Sequence, residues 1–142
     1  MIYTKMTEKA LNICFEAHKE QKDKSDLPYV FHPFHLAEQM ETEETIIVAL
    51  LHDVMEDTPI TADDLRKEGF SEAIIEALLL LSHDKDAVYL DYVKKIKSNP
   101  IAKAVKLADL RHNSDLTRLH KVDDKAIERV EKYKEAMDIL LK

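Results

Sequence analysis

An all-α fold is what this sequence predicts, and three observations carry the expectation. The 142 residues include a single glycine, so the chain has little of the punctuation that tight β-hairpins require. Aromatic residues make up only 6%, whereas Ala, Leu, Lys and Glu, all good helix formers, are abundant. No stretch sustains an apolar–polar alternation of period two. The length suits one domain over residues 1–142, folded as a single compact bundle of about seven or eight helices.

The helices follow in order. Met6, Ala10, Ile13, Cys14 and Ala17 share a face and predict a first helix from about Thr4 to Glu20. Polar Gln21 to Leu27 reads as a loop. His32 precedes Pro33, which suits a first helical turn, so His32 belongs at the entrance of a helix from about Pro33 to Met40. A central helix from about Glu43 to Glu56 carries the apolar run Ile46 to Leu51, with Pro59 beyond its end. Thr61 and Ser71 are N-caps for two further helices, and Gly69 ends the shorter one. Asp86 is a candidate cap for a helix to about Lys97, Asn99-Pro100 opens one through about Asn113, and Asp123 or Asp124 opens the last.

A net charge of −7 with no long Lys/Arg tract argues against a dedicated nucleic-acid or membrane-surface binder and for a small substrate. Charge is unevenly spread. Residues 38–76 carry twelve Asp/Glu against Arg66 and Lys67, while residues 94–121 are basic. Such halves suit a cation and an anion respectively, although solvated helix faces give the same pattern. Cys14 stands alone on an apolar face, which predicts a buried thiol and no intrachain disulfide. No apolar run is long enough to cross a bilayer and the N-terminus has no secretory core, so a cytoplasmic protein is expected.

The chemistry concentrates in Ala49-Leu50-Leu51-His52-Asp53-Val54-Met55-Glu56-Asp57-Thr58. On a helix, Glu56 follows His52 by four residues and Asp53 by three, and Asp57 follows Asp53 by four, so all four can share one side. Carboxylates on the helix with the longest apolar run need compensation, which a divalent cation supplies. A solvent-facing polar stripe is the alternative. A second His-Asp dipeptide, His83-Asp84, has no acidic pair one turn on and reads as a helix-end feature without a metal role. In Lys106-Leu107-Ala108-Asp109, followed by Asn113, one helical face presents Lys106, Asp109 and Asn113.

The order His32, His52-Asp53, Asp109 resembles that of HD-domain phosphohydrolases. The match is closer to the hydrolase domain of the RelA/SpoT family and its stand-alone small alarmone hydrolases. Pro28-Tyr29-Val30-Phe31-His32-Pro33 is similar to that family's Pro-Tyr-hydrophobic-x-His-Pro segment, and Ala49 to Thr58 resembles its Ala-Leu-Leu-His-Asp-x-x-Glu-Asp-Thr segment almost position for position. The resemblance implies an HD-domain helical bundle in which His32, His52, Asp53 and Asp109 bind a divalent ion, usually manganese. It also implies a catalytic acid/base pair in Glu56 and Asp57 and a sugar contact from Asn113. A metal with open coordination positions activates water and polarises a phosphoryl oxygen, while Lys106, Lys22 and Lys24 are candidates to meet phosphate charge.

The implied substrate is guanosine tetra- or pentaphosphate, losing its 3′-pyrophosphate, and a chain of this length is expected to be hydrolase only. Two departures touch nucleotide recognition. Asp23 stands where the family has Arg, and Leu110-Arg111 inverts the family's basic-Leu order. On a helix that inversion turns the guanidinium by about 100°. Two other readings remain open: an HD phosphohydrolase acting on another nucleotide or a 2′/3′-phosphomonoester, and a non-catalytic nucleotide-binding module. His18 is a possible support near the site, while His35, His112 and His120 are expected to be structural. Tyr89, Tyr92 and Tyr133 are expected in core or interface.

Overall fold

Helix termini with built-in caps set the boundaries of most elements in the computed structural model, which describes residues 1–142. The order is α1 (Lys5–His18), α2 (Phe31–Glu38), α3 (Glu43–Leu51), α4 (Val54–Asp57), α5 (Ala62–Lys67), α6 (Glu72–Leu81), α7 (Tyr89–Lys97), α8 (Pro100–Asn113), a 3-10 turn (Leu116–Arg118) and α9 (Asp124–Leu141). Eight helices of six residues or more and the single turn α4 make the fold all-α, as expected. The one β-type pairing is an isolated bridge between Lys22 and Pro28.

Thr4, Thr42 and Thr61 each cap a helix by accepting from the N3 backbone N–H, and the N3 side chain accepts the cap's own N–H in return. Asn99 caps α8 with Pro100 at its first position, and Asp123 caps α9. Gly69 follows α5 at φ 99°, the left-handed conformation that a helix exit favours and that a Cβ would strain.

Helix α3 runs through the centre. Ile46 to Leu51 are all fully buried, and the helix packs against α1, α2, α6 and α8. Because every side chain of that run is removed from water, each large one contributes roughly 1.5–3 kcal/mol to the fold. Helix α8 joins this core through Val105, Ala108 and Leu110 and also meets α2, α7 and α9. Cys14 is buried as expected, and burial, with a smaller contribution from the Asp53 charge, pushes its thiol up to about 12. No helix is long and apolar enough to cross a membrane.

Several boundaries depart from expectation. The central helix is not continuous to Glu56 but breaks at His52-Asp53, where Asp53 adopts φ −105° and ψ 0°. The His52 Nδ1–H donates to the Ala49 carbonyl at 2.7 Å, taking the acceptor that the Asp53 N–H uses in an unbroken helix. Helix α2 starts at Phe31, before His32. The missing proline N–H falls in the first turn, where donors lack intrahelical partners. Asp86 does not cap α7; the helix begins after Val88 without a side-chain cap, and the Asp86 N–H turns back to Asp84 Oδ1 at 3.0 Å.

Candidate metal centre and adjoining cleft

Three helices converge on one polar point in this apolar interior. The first turn of α2 brings His32, the break after α3 brings His52, and α8 brings Asp109; one donor atom from each lies within 4.8 Å of the others, and all three residues are buried. His32 Nε2 is 2.8 Å from Asp109 Oδ1, and His52 Nε2 is 3.8 Å from the same oxygen. Asp53 stands beside the trio, its Oδ2 3.1 Å from His52 Nε2 and accepting the Tyr29 hydroxyl.

The imidazoles are oriented from behind. Because a carbonyl only accepts, the bond to Ala49 fixes the proton on His52 Nδ1 and leaves Nε2 facing the carboxylates, buried and without a hydrogen-bond partner. His32 Nδ1 lies 2.7 Å from His112 Nδ1, with the two rings stacked. Burial, aided by the charges of Arg118 and His32, holds His112 down to about 4, so His112 is neutral and one proton is shared between the two facing Nδ1 atoms. This mutual support is the arrangement that metal-binding histidines use.

The charges interlock. Burial alone would lower His52, but the Asp53 carboxylate, followed by Asp109, outweighs it and raises the imidazole to about 9. Burial would raise Asp53, yet His52 brings it down to about 2. Asp109 is likewise held far below the usual carboxylate range: burial opposes this, and the Lys106 ammonium, with its Nζ 3.0 Å from Oδ2, overcomes it. Asn113 Nδ2 donates to Asp109 Oδ1 at 2.9 Å. An orphaned imidazole nitrogen facing ionised carboxylates calls for a cation, and a mixed N/O donor set suits a divalent one. The residues present therefore fit the metal that the sequence resemblance implies.

A cleft of about 110 Å³ opens beside the trio and is lined by Asp53, Glu56, Lys106, His83, Tyr89 and Tyr92, among others. Glu56 Oε1 accepts the His83 N–H at 2.6 Å. Burial, and after it the charges of Asp53 and Asp57, raise the Glu56 carboxyl against that hydrogen bond. Asp57 lines neither this cleft nor the larger one described next. Its Oδ2 accepts from Gln21 Nε2 at 3.2 Å, so Glu56 and Asp57, neighbours in α4, engage different partners.

The larger cleft, about 310 Å³, is lined by Lys22, Lys24, Tyr29, Asn113, Arg118 and Arg129, among others. Tyr29 and Asn113 join the two spaces through their bonds to Asp53 and Asp109. Asn113 and Lys106, expected to meet substrate, are thus both bonded to Asp109, while Lys22 and Lys24 face the larger cleft. Leu110 is buried and Arg111 exposed, which is how the inverted pair is accommodated.

The sequence assigns Tyr29, His83 and His112 no part in the site's hydrogen bonding and Arg118 no part at all, yet all four border it. His83 reaches the small cleft through the α6–α7 loop, which no local spacing encodes. His112 lies three residues after Asp109 on α8, a spacing that was available as a signal. Tyr89 and Tyr92 pack against each other but also wall the small cleft, and Tyr133 lines the larger one. His18 is fully buried, with Nδ1 2.8 Å from Gln21 Oε1 and its ring edge-on to Tyr29.

No protein-family model matches the chain. A stretch covering 47% of it is 44% identical to part of the guanosine-3′,5′-bis(diphosphate) 3′-pyrophosphohydrolase of Aquifex aeolicus, spanning 10% of that protein. An alignment covering 89% of the chain is 33% identical to 17% of the GTP pyrophosphokinase of Streptomyces antibioticus. Another, covering 77%, is 32% identical to 18% of the bifunctional (p)ppGpp synthase/hydrolase SpoT of Escherichia coli K12. The chain therefore spans less than a fifth of the length of these curated relatives. Its fold matches, with a TM-score of 0.80 at 22% identity, a solved structure described as a metazoan ortholog of SpoT that hydrolyses ppGpp, over 99% of this chain and 88% of that one.

The helical scaffold and the His32–His52–Asp109 cluster define an HD-type domain. Within that class, the sequence similarity shows that the chain belongs with the hydrolase domains of the RelA/SpoT family.

Proposed function

We propose that residues 1–142 act as one hydrolase domain that removes the 3′-pyrophosphate from guanosine tetra- and pentaphosphate, using manganese held by His32, His52, Asp53 and Asp109. The observation that carries this reading is the position of Glu56 in the same small cleft as His52, Asp53 and Asp109, with its carboxyl raised above the usual range. The relatives' names supply the substrate class.

A divalent ion at this site supplies Lewis-acid polarisation of a phosphoryl oxygen and acidifies water. Glu56, anchored through Oε1 by the His83 N–H, orients the attacking water with its other oxygen and accepts its proton. The water oxygen bonds to the phosphorus attached to the ribose 3′-oxygen, the bond from that phosphorus to the 3′-oxygen breaks, and the 3′-oxygen takes a proton as pyrophosphate departs. Lys106, in the wall of the cleft, offsets the growing negative charge while holding Asp109 in place. Asp57 acts through Gln21 on the loop that carries Lys22 and Lys24. Asn113 sits where the sugar passes between the clefts.

A second reading, hydrolysis of another nucleotide or of a 2′/3′-phosphomonoester, is favoured by Asp23. Its Oδ1 accepts the Ser25 and Leu27 N–H groups at 2.8 and 3.0 Å, so it shapes the loop and does not replace the family's arginine. Comparing turnover of guanosine tetraphosphate with a panel of 2′- and 3′-phosphorylated nucleotides in manganese decides between them. Preference for the tetraphosphate supports the first reading, and preference for a monoester supports the second. Tight binding without turnover of any member supports a non-catalytic module.

A further inference from the structure

The larger cleft carries four cations that form no ion pair within the fold. Lys22, Lys24, Arg118 and Arg129 line it, and none forms an ion pair with any carboxylate of the chain. The two carboxylates in the same wall are already committed to turns. Asp23 Oδ1 takes two backbone N–H groups, and Asp115 Oδ1 takes the Thr117 N–H and hydroxyl at 3.0 and 2.5 Å.

Arg118 is held for use. Its Nη1 donates to the His112 carbonyl at 2.8 Å and to Asn113 Oδ1 at 3.3 Å, while Nε and Nη2 carry no hydrogen bond. The Ser25 hydroxyl donates to the Arg118 carbonyl at 2.6 Å, tying the Lys22–Lys24 loop to the 3-10 turn. Arg129 faces the cleft from α9 with no side-chain hydrogen bond. Burial and the nearby Arg129 charge lower the Lys24 ammonium, only partly offset by Asp123, so like charges are crowded together here. An anion seated between them removes that repulsion.

Resting on the reading above, which puts the 3′-pyrophosphate at the metal cluster, we infer that Arg118 and Arg129 bind the 5′-diphosphate of the same nucleotide. They supply from the 3-10 turn and α9 the guanidinium contact that Asp23 cannot make. Asn113 links the two ends, donating to Asp109 and accepting from Arg118, so the ribose that carries both phosphorylated positions lies beside it. A space of about 310 Å³ falls within the range that small ligands occupy.

The test is calorimetric binding of GDP and of guanosine to the full chain with metal chelated, since neither ligand has a 3′-phosphate and neither requires turnover. The wild type is expected to bind GDP at least about tenfold more tightly than guanosine. Arg129→Gln, which breaks no hydrogen bond of the fold, is expected to weaken GDP by about tenfold while guanosine binds as before. Arg118→Gln is expected to do the same, with circular dichroism checking that the 3-10 turn is kept. Equal affinity of the wild type for GDP and guanosine, or wild-type GDP affinity in Arg129→Gln, overturns the inference. Failure to hydrolyse guanosine tetraphosphate, with the GDP pattern intact, overturns the proposed reaction instead.

Discussion

The imidazole of His52 donates from Nδ1 to the carbonyl of Ala49, at 2.7 Å, and this one bond both ends the central helix and turns Nε2 toward Asp53 and Asp109. Asparagine at this position keeps a donor near Nδ1 but has nothing at Nε2. His52→Asn is therefore expected to fold with a melting temperature near that of the wild type, while manganese affinity falls more than about 100-fold. Thermal denaturation and titration calorimetry check the two halves separately; undiminished metal binding would show that His52 is not a ligand.

Support for His32 comes from His112, 2.7 Å from its Nδ1. His112→Phe keeps the stacked ring and removes the hydrogen-bond partner of His32 Nδ1, so metal affinity should fall by roughly 10–100-fold. Calorimetry at constant pH measures this, and wild-type affinity would leave His112 as packing alone.

The metal-free protein should be pH-sensitive in a defined window. His52 is raised from 6.5 to about 9 in the folded state, so its contribution is complete below pH 6.5 and lost as pH rises through 9. A shift of that size corresponds to on the order of 3 kcal/mol. Asp53 works in the opposite sense. Lowered from 3.8 to about 2, it stabilises above 3.8 and loses that contribution as pH falls toward 2. Melting of the chelated protein at pH 6 and pH 9.5 should show the alkaline loss in the wild type and little of it in His52→Asn. An equal loss in both would assign it elsewhere.

Glu56→Gln keeps the bond from the His83 N–H and cannot accept a proton. Turnover is expected to fall by roughly 10²–10⁴-fold with metal binding retained. Because the Glu56 carboxyl is raised, wild-type turnover should decline on the acid side at a pH above the ordinary glutamate range. Activity within a fewfold of wild type would move the base to another residue, and Asp57→Asn, tested in parallel, would identify it.

Local chemistry explains which parts were legible in the sequence. Helix α8 is legible because an Asn cap, a Pro at the first position and an apolar face all lie within the segment. Gly69 announced its turn for the same reason. The break at His52-Asp53 was not legible, since an unbroken apolar run is what a continuous helix also shows, and only the side-chain bond to Ala49 separates the two. The start of α7 is not legible because Val88, whose side chain cannot cap, stands at the helix boundary while Asp86 lies outside it. In the site, His32, His52 and Asp109 come together from three helices as the motif order implied. His83, Arg118 and Arg129 enter through a loop, a 3-10 turn and the last helix, where only tertiary packing brings them to the clefts.

The most direct test of the central claim is pyrophosphate release from guanosine tetraphosphate by wild type and Asp109→Asn, each with manganese and with the metal chelated. The account predicts release only by the wild type with manganese, and weakened manganese binding by the variant. Release that persists under chelation, or that is unchanged in Asp109→Asn, would contradict a hydrolytic centre built on this cluster.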